Sequence, residues 1–131
     1  TIVCFETLEH LESPDIVLGE FYRIASKNII ITVPNCKNTI GMLASELIYK
    51  PYIDRTHIQF FTLETIESMV IEAGFRINQK SYINEISLLP LLKEAFDLND
   101  DLGNEIIKLL YSRRSTQRYH ITCLIVADKS K

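Results

Sequence analysis

The sequence predicts an α/β fold built on a partly parallel sheet, and three observations carry that expectation. Ile2–Phe5 and Ile29–Val33 are short, continuous apolar runs, the pattern of strands covered on both faces. Between them lies one amphipathic helical segment with short connections, which makes a βαβ crossover and sets the two strands parallel. Near the end, Tyr119–Ala127 is a third apolar run that follows a long helical stretch and reads as a last, central strand.

The elements follow in order. After the first strand, Glu6–Leu11 is a polar-rich turn. Ser13-Pro14-Asp15 is a helix start: Ser as N-cap, Pro at the first helical position and Asp against the positive dipole end. The helix is expected to run to about Ser26, with Val17, Phe21 and Ile24 as its core-facing stripe. Lys27-Asn28 breaks it, and Pro34-Asn35 ends the second strand. Residues 36–56 form a long connection of the kind that serves as a lid or substrate loop, with a short helix expected over Met42–Ile48. Thr62 caps the next helix, with Leu63, Ile66, Val70 and Ala73 on one face and Gly74 just past its end. Phe75–Ile83 reads as a strand, and Leu88–Leu110 as helix broken near Asn99-Asp100-Asp101. Ser112–Arg118 is a polar loop.

Composition narrows the function. The 131 residues suit one domain. Fourteen basic against 17 acidic residues give a net charge of −3, which argues against a nucleic-acid footprint. No apolar run approaches the roughly 18 residues that span a bilayer, so no membrane association is expected. The four glycines are widely spaced, which excludes a glycine-rich phosphate loop in this chain. Cys4, Cys36 and Cys123 are an odd set without C-x-x-C spacing, so buried structural thiols in a reducing, cytoplasmic setting are expected. The chain opens inside an apolar run with no initiator Met and reads as part of a longer protein.

Three segments together resemble the C-terminal half of a class I S-adenosylmethionine-dependent methyltransferase. Val3-Cys4-Phe5-Glu6-Thr7-Leu8-Glu9-His10-Leu11, with the Ser-Pro-Asp start and Phe21-Tyr22-Arg23 in the helix, resembles the family's fourth strand and following helix. Ile29–Val33 with Pro34-Asn35 resembles the fifth strand. His57-Ile58-Gln59-Phe60-Phe61-Thr62-Leu63, then Ala73-Gly74-Phe75, resembles the later helix and sixth strand. The resemblance covers roughly residues 1–83 and makes the tail a seventh, antiparallel strand. It implies a partial Rossmann-like sheet, strands four to seven, as one half-domain over 1–131, with the N-terminal half and its glycine-rich cofactor loop upstream. The intact protein would then be an enzyme, while these residues alone would bind S-adenosylmethionine weakly or not at all.

Glu6, Glu9 and His10 form a Glu-x-x-Glu-His motif at the carboxyl end of a strand, where ligands of open α/β sheets bind. His57 lies on the loop expected to return to that edge. Two carboxylates and two imidazoles make a possible site for Mg²⁺ or Mn²⁺, or less specifically Zn²⁺ or Fe²⁺. The motif resembles that of quinone-pathway O-methyltransferases, and the two-Glu, two-His set that of small-RNA 3′-terminal 2′-O-methyltransferases. The resemblance implies methyl transfer to a hydroxyl, on a small molecule in the first case and on RNA in the second. Two other readings stand beside the metal site. His10 or His57 acts as general base, or Phe5, Glu6 and Thr7 form the floor of the cofactor pocket with His10 structural. A non-catalytic binding module on the same scaffold is the alternative to an enzyme.

The remaining candidates are less specific. Phe60 and Phe61 line a substrate pocket or fill the core; Asn35 faces substrate or forms a turn; Arg113, Arg114 and Arg118 belong to a solvated loop or meet an anionic substrate or RNA backbone. With strand one upstream, Ile2–Phe5 is an unpaired edge, so the chain is expected to self-associate through residues 1–8.

Overall fold

The computed structural model describes residues 1–37, 52, 54–87, 89–112 and 119–130. The expected helix at Met42–Ile48, most of the 36–56 connection and Arg113, Arg114 and Arg118 lie outside the described residues.

Four strands form one sheet: β1 (Ile2–Phe5), β2 (Asn28–Pro34), β3 (Phe75–Glu85) and β4 (His120–Lys129), in the order β1-β2-β4-β3. β1 and β2 pair in parallel with Ile2 opposite Ile29 and Phe5 opposite Thr32. β4 inserts between β2 and β3 and runs antiparallel to β2. Its apolar faces mark it as internal, and the register shows why: Ile29, Ile31 and Val33 face Ala127, Ile125 and Cys123, all six buried. Alternate residues of the two central strands thus build one continuous core layer.

Helix α1 (Pro14–Ile24) returns the chain from β1 to β2, and α2 (Leu63–Glu72) packs on β4 and on α1. Pro14 opens α1 as expected, although the Ser13 side chain makes no capping bond, and the helix stops at Ile24. The expected stripe is shifted. Leu18 is fully buried, Val17 and Phe21 pack on the core from its margin, and Ile24 is 56% exposed. The helix ends there because Ala25 turns extended to enter β2. α2 has a reciprocal cap: the Thr62 hydroxyl accepts from the Thr65 N–H, and the Thr65 hydroxyl accepts from the Thr62 N–H. Its buried face is Leu63, Ile66 and Val70. Gly74 follows at φ +101°, with the Tyr22 ring where a Cβ would be, 2.9 Å from Cε2.

Residues 1–84 and 120–131 form one compact unit around this sheet. The second unit, 85–119, contains α3 (Leu89–Phe96) and α4 (Asp100–Ser112). The break falls at Asp97–Asn99, and Asn99 caps α4 by accepting from the Leu102 N–H at 2.9 Å.

The expectation that Ile2–Phe5 is covered on both faces is corrected. β1 stands at the end of the described sheet, Cys4 is buried, and Val3 and Phe5 are 54% and 55% exposed. A strand with one neighbour and one covered face leaves its alternate side chains in solvent. Among the described residues no helix is long and apolar enough to cross a membrane.

Candidate functional site

At the carboxyl end of β1 the backbone turns sharply. Glu6 has φ +45°, and its N–H still donates to Thr32 O at 3.0 Å, so the turn begins at the last ladder bond. The Thr7 hydroxyl donates back to Phe5 O at 2.8 Å. A single 3-10 turn, Leu8–His10, follows, with Leu8 driven into the core and Glu9 buried beside it.

Burial of Glu9 is the unusual feature. Its side chain is 1% exposed, and among the described residues neither carboxylate oxygen has a hydrogen-bond partner. Its carboxyl is pushed above the usual range by desolvation and, less, by the charge of Glu6, with its own backbone N–H and then His10 and His57 pulling the other way. Native proteins rarely leave a buried carboxylate so.

The Glu9 backbone is well held. Its carbonyl accepts from both the Ile58 and Gln59 N–H groups, at 2.9 and 3.0 Å. This fastens the later loop onto the turn and brings His57 back to the same edge, as the sequence implied. The His10 and His57 rings meet edge to face, centroids 4.8 Å apart. His10 Nε2 lies 3.8 Å from Glu9 Oε1. One donor atom each from Glu9, His10 and His57 falls within a mutual 4.8 Å.

Glu6 does not join them. It is exposed, and its left-handed backbone belongs to the turn rather than to the Glu9–His10–His57 group. The expected four-donor set is therefore a three-donor set. Two nitrogens and one carboxylate oxygen suit Zn²⁺, Fe²⁺ or Mn²⁺, whereas Mg²⁺ favours oxygen ligands, so the donor chemistry does not favour Mg²⁺.

The other candidates separate cleanly. Phe61 is core, while Phe60 is half exposed and stacks on Tyr52 at 5.1 Å. Asn35 is buried as a clamp: its amide donates to His120 O at 2.8 Å and its oxygen accepts from the Lys37 N–H at 3.2 Å. All three cysteines are free and buried; burial pushes the Cys36 thiol up to about 11 and Cys123 up to about 12, so neither is a thiolate at neutral pH. The sequence reading missed Asp54 and Thr56. Asp54 Oδ2 stands 3.7 Å from His57 Nε2, and Thr56 O lies 3.0 Å from His10 Nδ1. Thr56 acts through its backbone, which leaves no side-chain signal. The Asp-x-Thr turn is the one local cue.

A family model described as a methyltransferase domain matches residues 1–80, more than half of the chain. The chain belongs to the methyltransferase family. Solved structures of methyltransferases share its fold. An S-adenosylmethionine-dependent methyltransferase from Archaeoglobus fulgidus aligns with a TM-score of 0.62 at 20% identity, covering 97% of this chain and 57% of that one. A Bacillus halodurans protein assigned as a methyltransferase aligns at 0.59 and 14% identity, covering 98% and 63%. Haemonchus contortus phosphoethanolamine N-methyltransferase 2, in complex with S-adenosyl-L-methionine, aligns at 0.55 and 16%, covering 98% and 33%. The chain thus spans about six-tenths of the length of the first two. Among curated proteins none matches at a significant level. The Glu-x-x-Glu-His turn and His57 both lie inside the segment matched by the methyltransferase-domain model.

Proposed function

We propose that this methyltransferase chain supplies the acceptor-activating side of an S-adenosylmethionine-dependent reaction, with a hydroxyl of a small molecule as methyl acceptor. The observation that carries the reading is Glu9: a buried carboxylate without a hydrogen-bond partner among the described residues, beside two imidazoles. It lies at the carboxyl end of β1, where ligands of such sheets bind. The net charge of −3 weighs against RNA as acceptor.

S-adenosylmethionine, when bound, supplies an electrophilic methyl on a sulfonium. Phe5, Glu6 and Thr7 sit at the strand end that would form the floor of its pocket. Phe5 and Glu6 are both exposed there, and Glu6 takes a left-handed backbone. Glu9, His10 and His57 would hold a divalent cation of the zinc, iron or manganese type. Bound there, the ion would supply Lewis acidity that lowers the pKa of an acceptor hydroxyl.

A second reading of the same residues is favoured by one bond. The Thr56 carbonyl can only accept, so His10 Nδ1 carries its proton and Nε2 offers a lone pair 3.8 Å from Glu9. His10 would then take the acceptor's proton at Nε2, with Glu9 stabilising the imidazolium.

Activity of the intact enzyme, assayed on hydroxyl acceptors before and after chelation, separates the two. Loss on chelation with recovery on adding Zn²⁺ or Mn²⁺ supports the cation reading. Chelator-insensitive activity that falls in His10→Gln supports the base. Full activity in Glu9→Gln and His10→Gln sinks both.

A further inference from the structure

The two imidazoles share one short segment as outer support. Asp54 Oδ1 accepts from the Thr56 N–H at 3.0 Å and from the Thr56 hydroxyl at 2.7 Å. These two bonds fix the Asp54 carboxylate within the turn. An Asx-type turn of this kind sets the direction of the backbone that follows. It aims the Thr56 carbonyl at His10 Nδ1, 3.0 Å away. The second carboxylate oxygen, Oδ2, stands 3.7 Å from His57 Nε2, and the His57 side chain is only 11% exposed. A negative charge there favours a proton on Nε2 and a lone pair on Nδ1.

We propose that Asp54 is the positioning residue of the cluster. Through Thr56 it holds His10 as the Nδ1–H tautomer, and by its charge, 3.7 Å away and beyond hydrogen-bond reach, it biases His57 toward the Nε2–H tautomer. The inference rests on the reading of Glu9, His10 and His57 as the functional cluster. Which imidazole nitrogen carries the proton is set by the bond that the other makes. Outer partners of this type typically change metal affinity by about 10–100-fold. One side chain thus prepares both nitrogen donors, and its two oxygens divide the work.

Two substitutions separate the oxygens. Asp54→Asn keeps an oxygen that accepts from Thr56 but removes the charge facing His57. Asp54→Ala removes both. Ring ¹⁵N shifts of the metal-free chain, recorded at about pH 8 where free imidazoles are neutral, report each tautomer without any metal or turnover. The wild type is expected to show His10 as Nδ1–H and His57 as Nε2–H. In Asp54→Asn only the His57 pattern should average toward a mixture; in Asp54→Ala both should. Calorimetric titration with Zn²⁺ should show about tenfold weaker binding in the first variant and up to about 100-fold in the second. Wild-type ¹⁵N patterns in Asp54→Asn overturn the direct role on His57, and this variant carries the test if Asp54→Ala does not fold. Wild-type patterns in a folded Asp54→Ala overturn the whole assignment. The expected tautomers with no Zn²⁺ binding to the wild type sink the cation reading and leave the positioning role standing.

Discussion

Replacing Glu9 by Gln should stabilise the metal-free chain at pH 8 and leave it nearly unchanged at pH 4. The reason is the direction of the Glu9 shift. Desolvation, and then the Glu6 charge, raise its folded-state pKa above the unfolded value of about 4.3. The folded chain therefore binds the proton more tightly, and stability declines as pH rises from about 4.3 through the raised value. Above that value the full penalty of a buried, unpartnered carboxylate applies. An unmet buried polar group costs about 1–3 kcal/mol and a charged one more, while the Gln amide retains a smaller penalty. The net gain is about 1–2 kcal/mol, which for a chain of this size raises Tm by roughly 4–8 °C. Calorimetric melting of both proteins with chelator, at pH 8 and pH 4, measures it. Saturating Zn²⁺ should reverse the order, since ligand at 100 times Kd adds about 2.7 kcal/mol to the wild type alone. A Glu9→Gln chain less stable than wild type at pH 8 in chelator would refute the reasoning, because it would mean the carboxylate is satisfied after all.

Three further outcomes follow from the packing. Gly74→Ala must place a Cβ 2.9 Å from Tyr22 Cε2 at φ +101°. That ring is held by Phe75 at 5.1 Å and by its hydroxyl bond to Ser130 O at 3.1 Å, so urea denaturation should show a loss of about 2–4 kcal/mol. Thr62→Ala removes the hydroxyl that accepts from the Thr65 N–H but leaves the backbone N–H at position 62 donating to the Thr65 hydroxyl, and the same assay should show about 1 kcal/mol lost, with Thr62→Ser recovering most of it. The chain itself should pair through the β1 edge. Sedimentation should show concentration-dependent association that Val3→Lys abolishes, and a monodisperse wild-type monomer at high concentration argues against edge pairing.

Much of the framework was legible because it is local or periodic. Continuous β-branched runs announce β2, apolar faces on both sides announce β4 as internal, and Thr62 with Gly74 brackets α2 to within a residue. The Glu-x-x-Glu-His motif and His57 were readable as a candidate cluster from residue type and from the βαβ logic that sends both to one edge of the sheet. What sequence spacing could not decide is which of these side chains turn inward. Glu6 and Glu9 are three residues apart and chemically alike. Only the left-handed turn at Glu6 and the 3-10 turn after it leave the first in solvent and press the second beneath the loop that carries His57. The same holds for α1, where the buried face runs through Leu18 and not Ile24. Asp54 and Thr56 were invisible for a related reason: their contribution runs through a carbonyl direction and a through-space charge, and both exist only once the fold has brought Thr56 to His10, 46 positions away in sequence. Composition and periodicity determine which segments are helix, strand and core. The partners of a buried charge are set by long-range contacts, because a carboxylate's environment is made by whatever the rest of the fold packs against it.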